Sequence, residues 1–384
     1  MRPPRSRALA LVFLALALAA SVVVGTYGRG ASFVARAAGA TGFVRDLAEW
    51  RRQSVTDSPT EIPWRAGTLR ARRYLPAAIT ARPILLVPGV HASGIDEPRL
   101  VGFAHELSAM GHPVVTAELS DLTHYRVTPR TTDMIEDAAL WLTRQPGAAS
   151  DGRIGMMGIS FAGGLSIVAA GRPALRDRVD FVLSFGGHGD LPRTLKYLAT
   201  GIQPDGQRRP PHDYGVAIIL LGAAAQVVPA EQATPLRQAI LSFLEASRLD
   251  MVDKPRAATE FARARQLADG LAEPARTLMS YVNNRDVEHL GPILAPHLAA
   301  VDGDPSLSPD RSAPPRATVY LLHGIDDNVI PAVESALLAQ SLRERGVTVH
   351  YLATPLVTHA EVDHKGGASS AFALVRFWSG VLDE

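Results

Sequence analysis

The sequence predicts an α/β protein: a doubly wound, mainly parallel sheet with a large helical insertion. Short apolar runs alternate with longer helical segments over the first half, which implies βαβ units. The alternation stops across residues 191–312, where no strand pattern is found, and resumes after a Pro-rich connector, "SPDRSAPPRA".

The chain begins with Arg2, Arg5 and Arg7 ahead of an uninterrupted apolar run from Ala8 to Gly25. That pattern is read as an N-terminal signal-anchor or signal peptide (residues 1–25). An A-x-A-like cleavage site, Ala17-Leu18-Ala19, falls inside the run. The charge asymmetry places the arginines in the cytoplasm and everything after Gly25 outside. Either form means export, with membrane attachment through this helix if it stays uncleaved. Residues 26–66 read as a lead-in segment with one amphipathic helix around Gly42–Gln53.

Residues 67–190 carry the first part of the core. "PILLVP" (Pro83–Pro88) is a buried strand, "VGFAHELSAMG" a helix closed by Gly111, and "HPVVTAEL" the next strand. Asp133, with Glu136 three residues on, has the spacing of a capping box and starts a helix through Trp141 and Leu142. "GRIGMMG" is a strand, "FAGGLSIVAAG" a helix and "DFVLSFGG" another strand. Residues 191–312 form a helical cap insertion, whose apolar stretch Gly215–Val228 is too short to span a bilayer. Residues 313–384 complete the core with strands "TVYLLHG" and "VTVHYLA", a helix Ala332–Arg345 between them, and a last helix near Ser369–Val381.

Composition excludes several kinds of function. The net charge of +1 gives no basic field for nucleic acid. With no cysteine in the chain, disulfides, thiolate metal sites and cysteine nucleophiles are ruled out. Neither an H-E-x-x-H metal motif nor a G-x-x-x-x-G-K-[ST] phosphate loop occurs, so no metal or cofactor is implied.

The chemistry-bearing candidate is Ser160 in "GISFAGG", between a strand ending at Gly158 and a helix starting just after. Small neighbours suit a nucleophile on a sharp strand–helix turn, with Gly158 and Ala162 at the flanking positions of G-x-S-x-G. The segment by itself supports a helix cap and a nucleophile equally. Its partners lie downstream. "YLLHGIDDNVIP" presents Asp326 and Asp327 after a strand, and "ATPLVTHAEVDH" presents His359 after the next, with His364 five residues later. A carboxylate there can accept the Nδ1 hydrogen of an imidazole and stabilise the imidazolium formed in catalysis. Gly89 and Val90 directly follow a central strand, so a backbone N–H there, with that of Phe161, could hold an oxyanion. His91 is assigned to the pocket mouth or to a hydrogen bond within its own turn.

Through "LLVPGV", "GISFAGG", "LLHGIDDNVIP" and "LVTHAEVDH", the chain from about Thr68 onward resembles an α/β-hydrolase-fold serine hydrolase of the esterase and lipase kind. The resemblance implies a cap where the insertion stands. It also implies an acid four residues after the histidine of the acid loop, which selects Asp327 over Asp326. Two positions depart from the family pattern, Pro88 where the first motif often has His and Ala162 in the elbow. The implied activity is cleavage of a carboxylic ester or related small acyl compound through Ser160, His359 and Asp327, with Val90 and Phe161 as the oxyanion hole. A peptidase or amidase of the same fold, or a catalytically silent, membrane-tethered binding protein on this scaffold, are the other readings. Oligomeric state is not encoded in any motif.

Overall fold

The computed structural model describes residues 25–49, 52–145, 151–250, 252–301, 304–359 and 366–384. The apolar run predicted to be a signal or anchor lies outside them except for Gly25, as does His364. Among the described residues no helix is long and apolar enough to cross a membrane.

An eight-stranded sheet with order β1-β2-β4-β3-β5-β6-β7-β8 organises the chain. Strand β1 (Val55–Trp64) pairs antiparallel with β2 (Gly67–Pro76), and β2 pairs antiparallel with β4 (Val114–Ala117). From β4 onward every pairing is parallel, through β3 (Ile84–Val87), β5 (Ile154–Ile159), β6 (Val179–Phe185), β7 (Thr318–Gly324) and β8 (Val349–Thr354). Strands β3 and β4 are buried on both faces and are apolar but for Thr116, as parallel strands covered by helices must be. With helices on both faces and the order reversing between β4 and β3, this is the α/β-hydrolase fold.

Two local readings need correction. The lead-in is more structured than its sequence suggests: residues 25–37 are helical (α1), α2 spans Gly42–Glu49, and β1 follows. Strand β1 carries no alternating apolar face; only Ile62 is buried and two prolines interrupt it, which an edge strand tolerates. The helix assigned a cap at Asp133 begins a turn earlier. After α3 (Pro98–Ala109) and the short α4 (Ser120–Thr123), helix α5 runs Pro129–Leu142, with Thr128 as its cap residue and the Thr128 N–H donating to Thr131 Oγ1 at 3.2 Å. Proline at the first helical position has no N–H to satisfy, so it starts the helix there. Asp133 and Glu136 instead pair with Arg172, at 2.7 and 2.9 Å.

Helix α6 (Phe161–Gly171) is buried along its whole length. Between β6 and β7 come α7 (Leu191–Thr200), α8 (Asp213–Val227), α9 (Ala230–Asp250), α10 (Lys254–Asp269), α11 (Ala275–Asn283) and α12 (Val287–Leu294). The apolar stretch at 215–228 is α8, which buries Val216, Ala217, Leu220 and Ala224. Helices α13 (Ala332–Glu344) and α14 (Ala368–Asp383) complete the body.

Candidate active site

The turn from β5 into α6 holds Ser160 at φ 56°, ψ −135°, a left-handed conformation that costs a non-glycine residue about 1–3 kcal/mol. Two backbone bonds hold it: the Ser160 N–H donates to the Phe185 carbonyl at 2.8 Å, and the Gly163 N–H donates to the Ser160 carbonyl at 2.8 Å. Strand and helix approach so closely that a Cβ at Gly158 would lie 2.3 Å from the Ala162 carbonyl oxygen. The small residues are therefore required by clearance, and the methyl of Ala162 is accommodated, fully buried.

The loops after β7 and β8 bring Asp327 and His359 to the same edge. Ser160 Oγ–H donates to His359 Nε2 at 2.8 Å, and His359 Nδ1–H donates to Asp327 Oδ2 at 2.7 Å. The His359 loop also crosses β6's end: at Gly186, φ +62°, a Cβ would meet the His359 carbonyl at 3.0 Å and Asp327 Oδ2 at 3.4 Å. Asp327 is 1% exposed. Its Oδ1 accepts the N–H groups of Val329 at 2.8 Å and Ile330 at 3.0 Å. Burial alone would raise this carboxyl, but the neighbouring charge of His359 and hydrogen bonds from His323 and His359 outweigh it and hold it well below the usual carboxylate range. Asp326 points away, 60% exposed, and pairs with Arg209 at 3.2 Å.

Val90 and Phe161 both border Ser160 in a cavity of about 1290 Å3 between the sheet edge and the inserted helices. The turn at Gly89 lies against the elbow, where a Cβ would come within 3.3 Å of the Ile159 carbonyl and the Ser160 Cβ. His91 accepts the Ser93 N–H within its own turn at 3.2 Å and lines the cavity; burial lowers its basicity.

Several supporting residues carry no motif. Buried His323 donates from Nε2 to the Ile330 carbonyl at 2.8 Å, which leaves Nδ1 to accept from Ser335 Oγ at 2.7 Å and fixes the acid loop. The insertion grips the same loop from outside. Arg209 donates to the Ile325 carbonyl at 3.0 Å, and the His212 N–H and Tyr197 hydroxyl reach the Asn328 carbonyl at 2.8 and 3.2 Å. The "HG" before the acid was the visible signal for His323, whereas nothing in the sequence links residues 197–212 to residue 328.

No family model and no curated protein matches the chain. Among solved structures it is similar to an esterase of Pyrobaculum calidifontis, with 17% identity over 91% of this chain and 90% of that one, TM-score 0.43. Carboxyl esterase 2 of the fungus Tuber melanosporum is 14% identical over 85% of this chain and 86% of its own, TM-score 0.46. An acylaminoacyl peptidase of Pyrococcus horikoshii is 13% identical over 90% of this chain, TM-score 0.46; the match spans 43% of that longer protein.

Proposed function

We propose that the protein is a serine hydrolase that cleaves a carboxylic ester or related acyl compound through an acyl-enzyme. The observation that carries the reading is the unbroken chain from Asp327 through His359 to Ser160, with both links at 2.7–2.8 Å and the serine on a strained elbow. Ser160 Oγ attacks the acyl carbon while His359 Nε2 takes its proton. Asp327 stabilises the imidazolium and keeps Nδ1 protonated, so that Nε2 faces the serine. The backbone N–H groups of Val90 and Phe161 receive the oxyanion, each contributing about 2.7–4 kcal/mol to the transition state. His359 then protonates the departing alcohol. Water, deprotonated by the same imidazole, attacks the acyl carbon and frees both the acid and Ser160.

The test is labelling with a fluorophosphonate probe and hydrolysis of p-nitrophenyl esters. Wild type labels and turns over; Ser160→Ala does neither, and His359→Ala loses turnover. Folded wild-type protein that resists the probe while a control hydrolase labels overturns the proposal. Matched ester and anilide substrates separate an esterase from an amidase.

A further inference from the structure

Ser160 also borders a second cavity, of about 640 Å3, on the far side from the inserted helices. Val90 and His359 border it beside Ser160, and the rest of its walls come mainly from α1, α3 and α14 and the ends of the central strands. Val34, Phe103, Ile159, Phe185, Leu356 and Trp378 face it. The first five pack against the core yet keep an open face, and Trp378 is 4% exposed. Interiors normally leave few voids larger than a water, so an apolar space of this size joined to a nucleophile is suited to an apolar tenant.

Charged groups also line the space. Glu97 and Arg99, paired at 2.7 Å, line both cavities, as Ser160 does. Glu106, paired with Arg36, lines only the second. Glu97 caps α3 and Glu106 lies nine residues further along it, about 13 Å away at 1.5 Å per residue, with Leu100, Gly102 and Phe103 lining the cavity between them. The larger cavity is also walled mainly by apolar side chains, but it adds the charged groups Arg126, Arg209, Asp213, Arg248 and Arg285.

We infer that the second cavity is the acyl-chain site, and that the substrate is an ester of an unbranched medium- to long-chain fatty acid with its alcohol part in the larger chamber. The inference rests on Ser160 being the nucleophile of the proposed hydrolase. The acyl group stays bonded to Ser160 between the two steps and gains from a dry enclosure. The alcohol takes the proton of His359 and leaves, for which the larger chamber, with its charged groups, is the exit. Helix α1 is thus a wall of the site rather than a lead-in.

The full chain is assayed with p-nitrophenyl acetate, octanoate and dodecanoate. Wild-type kcat/KM rises from acetate to the longer esters. Gly102 lines the cavity, and no atom lies within 4 Å of a Cβ built there, so Gly102→Phe adds a ring at the cavity wall without a clash. The expected result is a fall of about ten-fold in the ratio of dodecanoate to acetate kcat/KM, equivalent to returning two methylenes to water. Val34→Trp, which fills the space from α1, gives the same fall if Gly102→Phe does not fold. Equal activity on all chain lengths, or a uniform loss in both variants, overturns the assignment. Should wild type neither label nor turn over, the hydrolase reading fails by itself. Binding of a dansylated undecanoic acid then decides the cavity: saturable binding, weakened in Gly102→Phe, supports it, and no binding to wild type overturns it.

Discussion

Asp327 is held ionised where burial alone would favour its neutral form. Four hydrogen bonds or charge contacts converge on one carboxylate: two backbone N–H groups, His359 and, at 3.3 Å, His323. Asp327→Asn preserves the shape but offers an amide to His359, which favours the wrong tautomer. The expected outcome is a drop in kcat of about 10^4-fold, measured with the best p-nitrophenyl ester. Stability carries the same signature. The folded carboxyl is more acidic than the unfolded one, so the native state binds fewer protons and the stabilisation is present above the unfolded value near about 4. It is lost as pH falls through the still lower folded value. Urea midpoints of wild type and Asp327→Asn should therefore differ in favour of wild type at pH 6 and converge on acidification below about 4; a constant gap contradicts the account. Ser160, Asp327 and His359 were legible because order along the chain and placement after successive strands restrict the choice. His323 was visible only as a letter before glycine, since its role depends on Ser335 and Ile330 meeting it in space.

At the scale of elements, the inserted helices are rooted by an ion pair whose carboxylate is fully buried and whose guanidinium is half-buried. Glu334, on α13 and 0% exposed, accepts from Arg193 Nε at 2.6 Å and Nη2 at 2.9 Å and from the N–H groups of Gly189 and Asp190, both at 3.1 Å. Arg193 lies in the first turn of α7, where Asp190 caps the helix by accepting its N–H at 2.9 Å. One carboxylate thus ties the start of the insertion to the helix that follows the acid loop. Arg193→Ala leaves the Glu334 charge buried without its cation, and removing one member of a buried pair costs about 3–5 kcal/mol. The expected loss is read from chemical denaturation, and a cost below about 1 kcal/mol, typical of a surface pair, contradicts the rooting. The helices and central strands themselves were legible, because apolar runs and helical periodicity survive in the sequence. Strand β1 was not: its pairing with β2 runs the full length from Val55↔Pro76 to Trp64↔Gly67, yet it buries too little to leave a pattern. The start of α5 was misplaced because a threonine ahead of a proline competed with an equally well spaced Asp133 and Glu136.

Across the whole molecule, the segment least legible in the sequence closes one side of the body. Helix α1 directly follows the N-terminal apolar run and is docked on α3 and α14 by Phe33, which is 1% exposed. The Phe33 ring lies 4.6 Å from that of Trp378 and 6.0 Å from that of Phe103. Polar contacts fix its two ends: Arg29 Nη2 donates to the Met110 carbonyl at 3.0 Å, and Arg36 pairs with Glu106. Long-range contacts of this kind leave no local signal, since α1 meets partners some seventy to three hundred and fifty residues away. Phe33→Ala removes the ring at the junction of all three helices, and a buried phenylalanine truncated to alanine costs about 3–5 kcal/mol. Denaturation should register that loss. If α1 also walls the acyl site, the surviving folded fraction should show a lower dodecanoate-to-acetate ratio than wild type after normalisation to probe-labelled enzyme. Destabilisation with an unchanged ratio would leave α1 a packing element and remove it from the site, whereas unchanged stability would contradict its docking altogether.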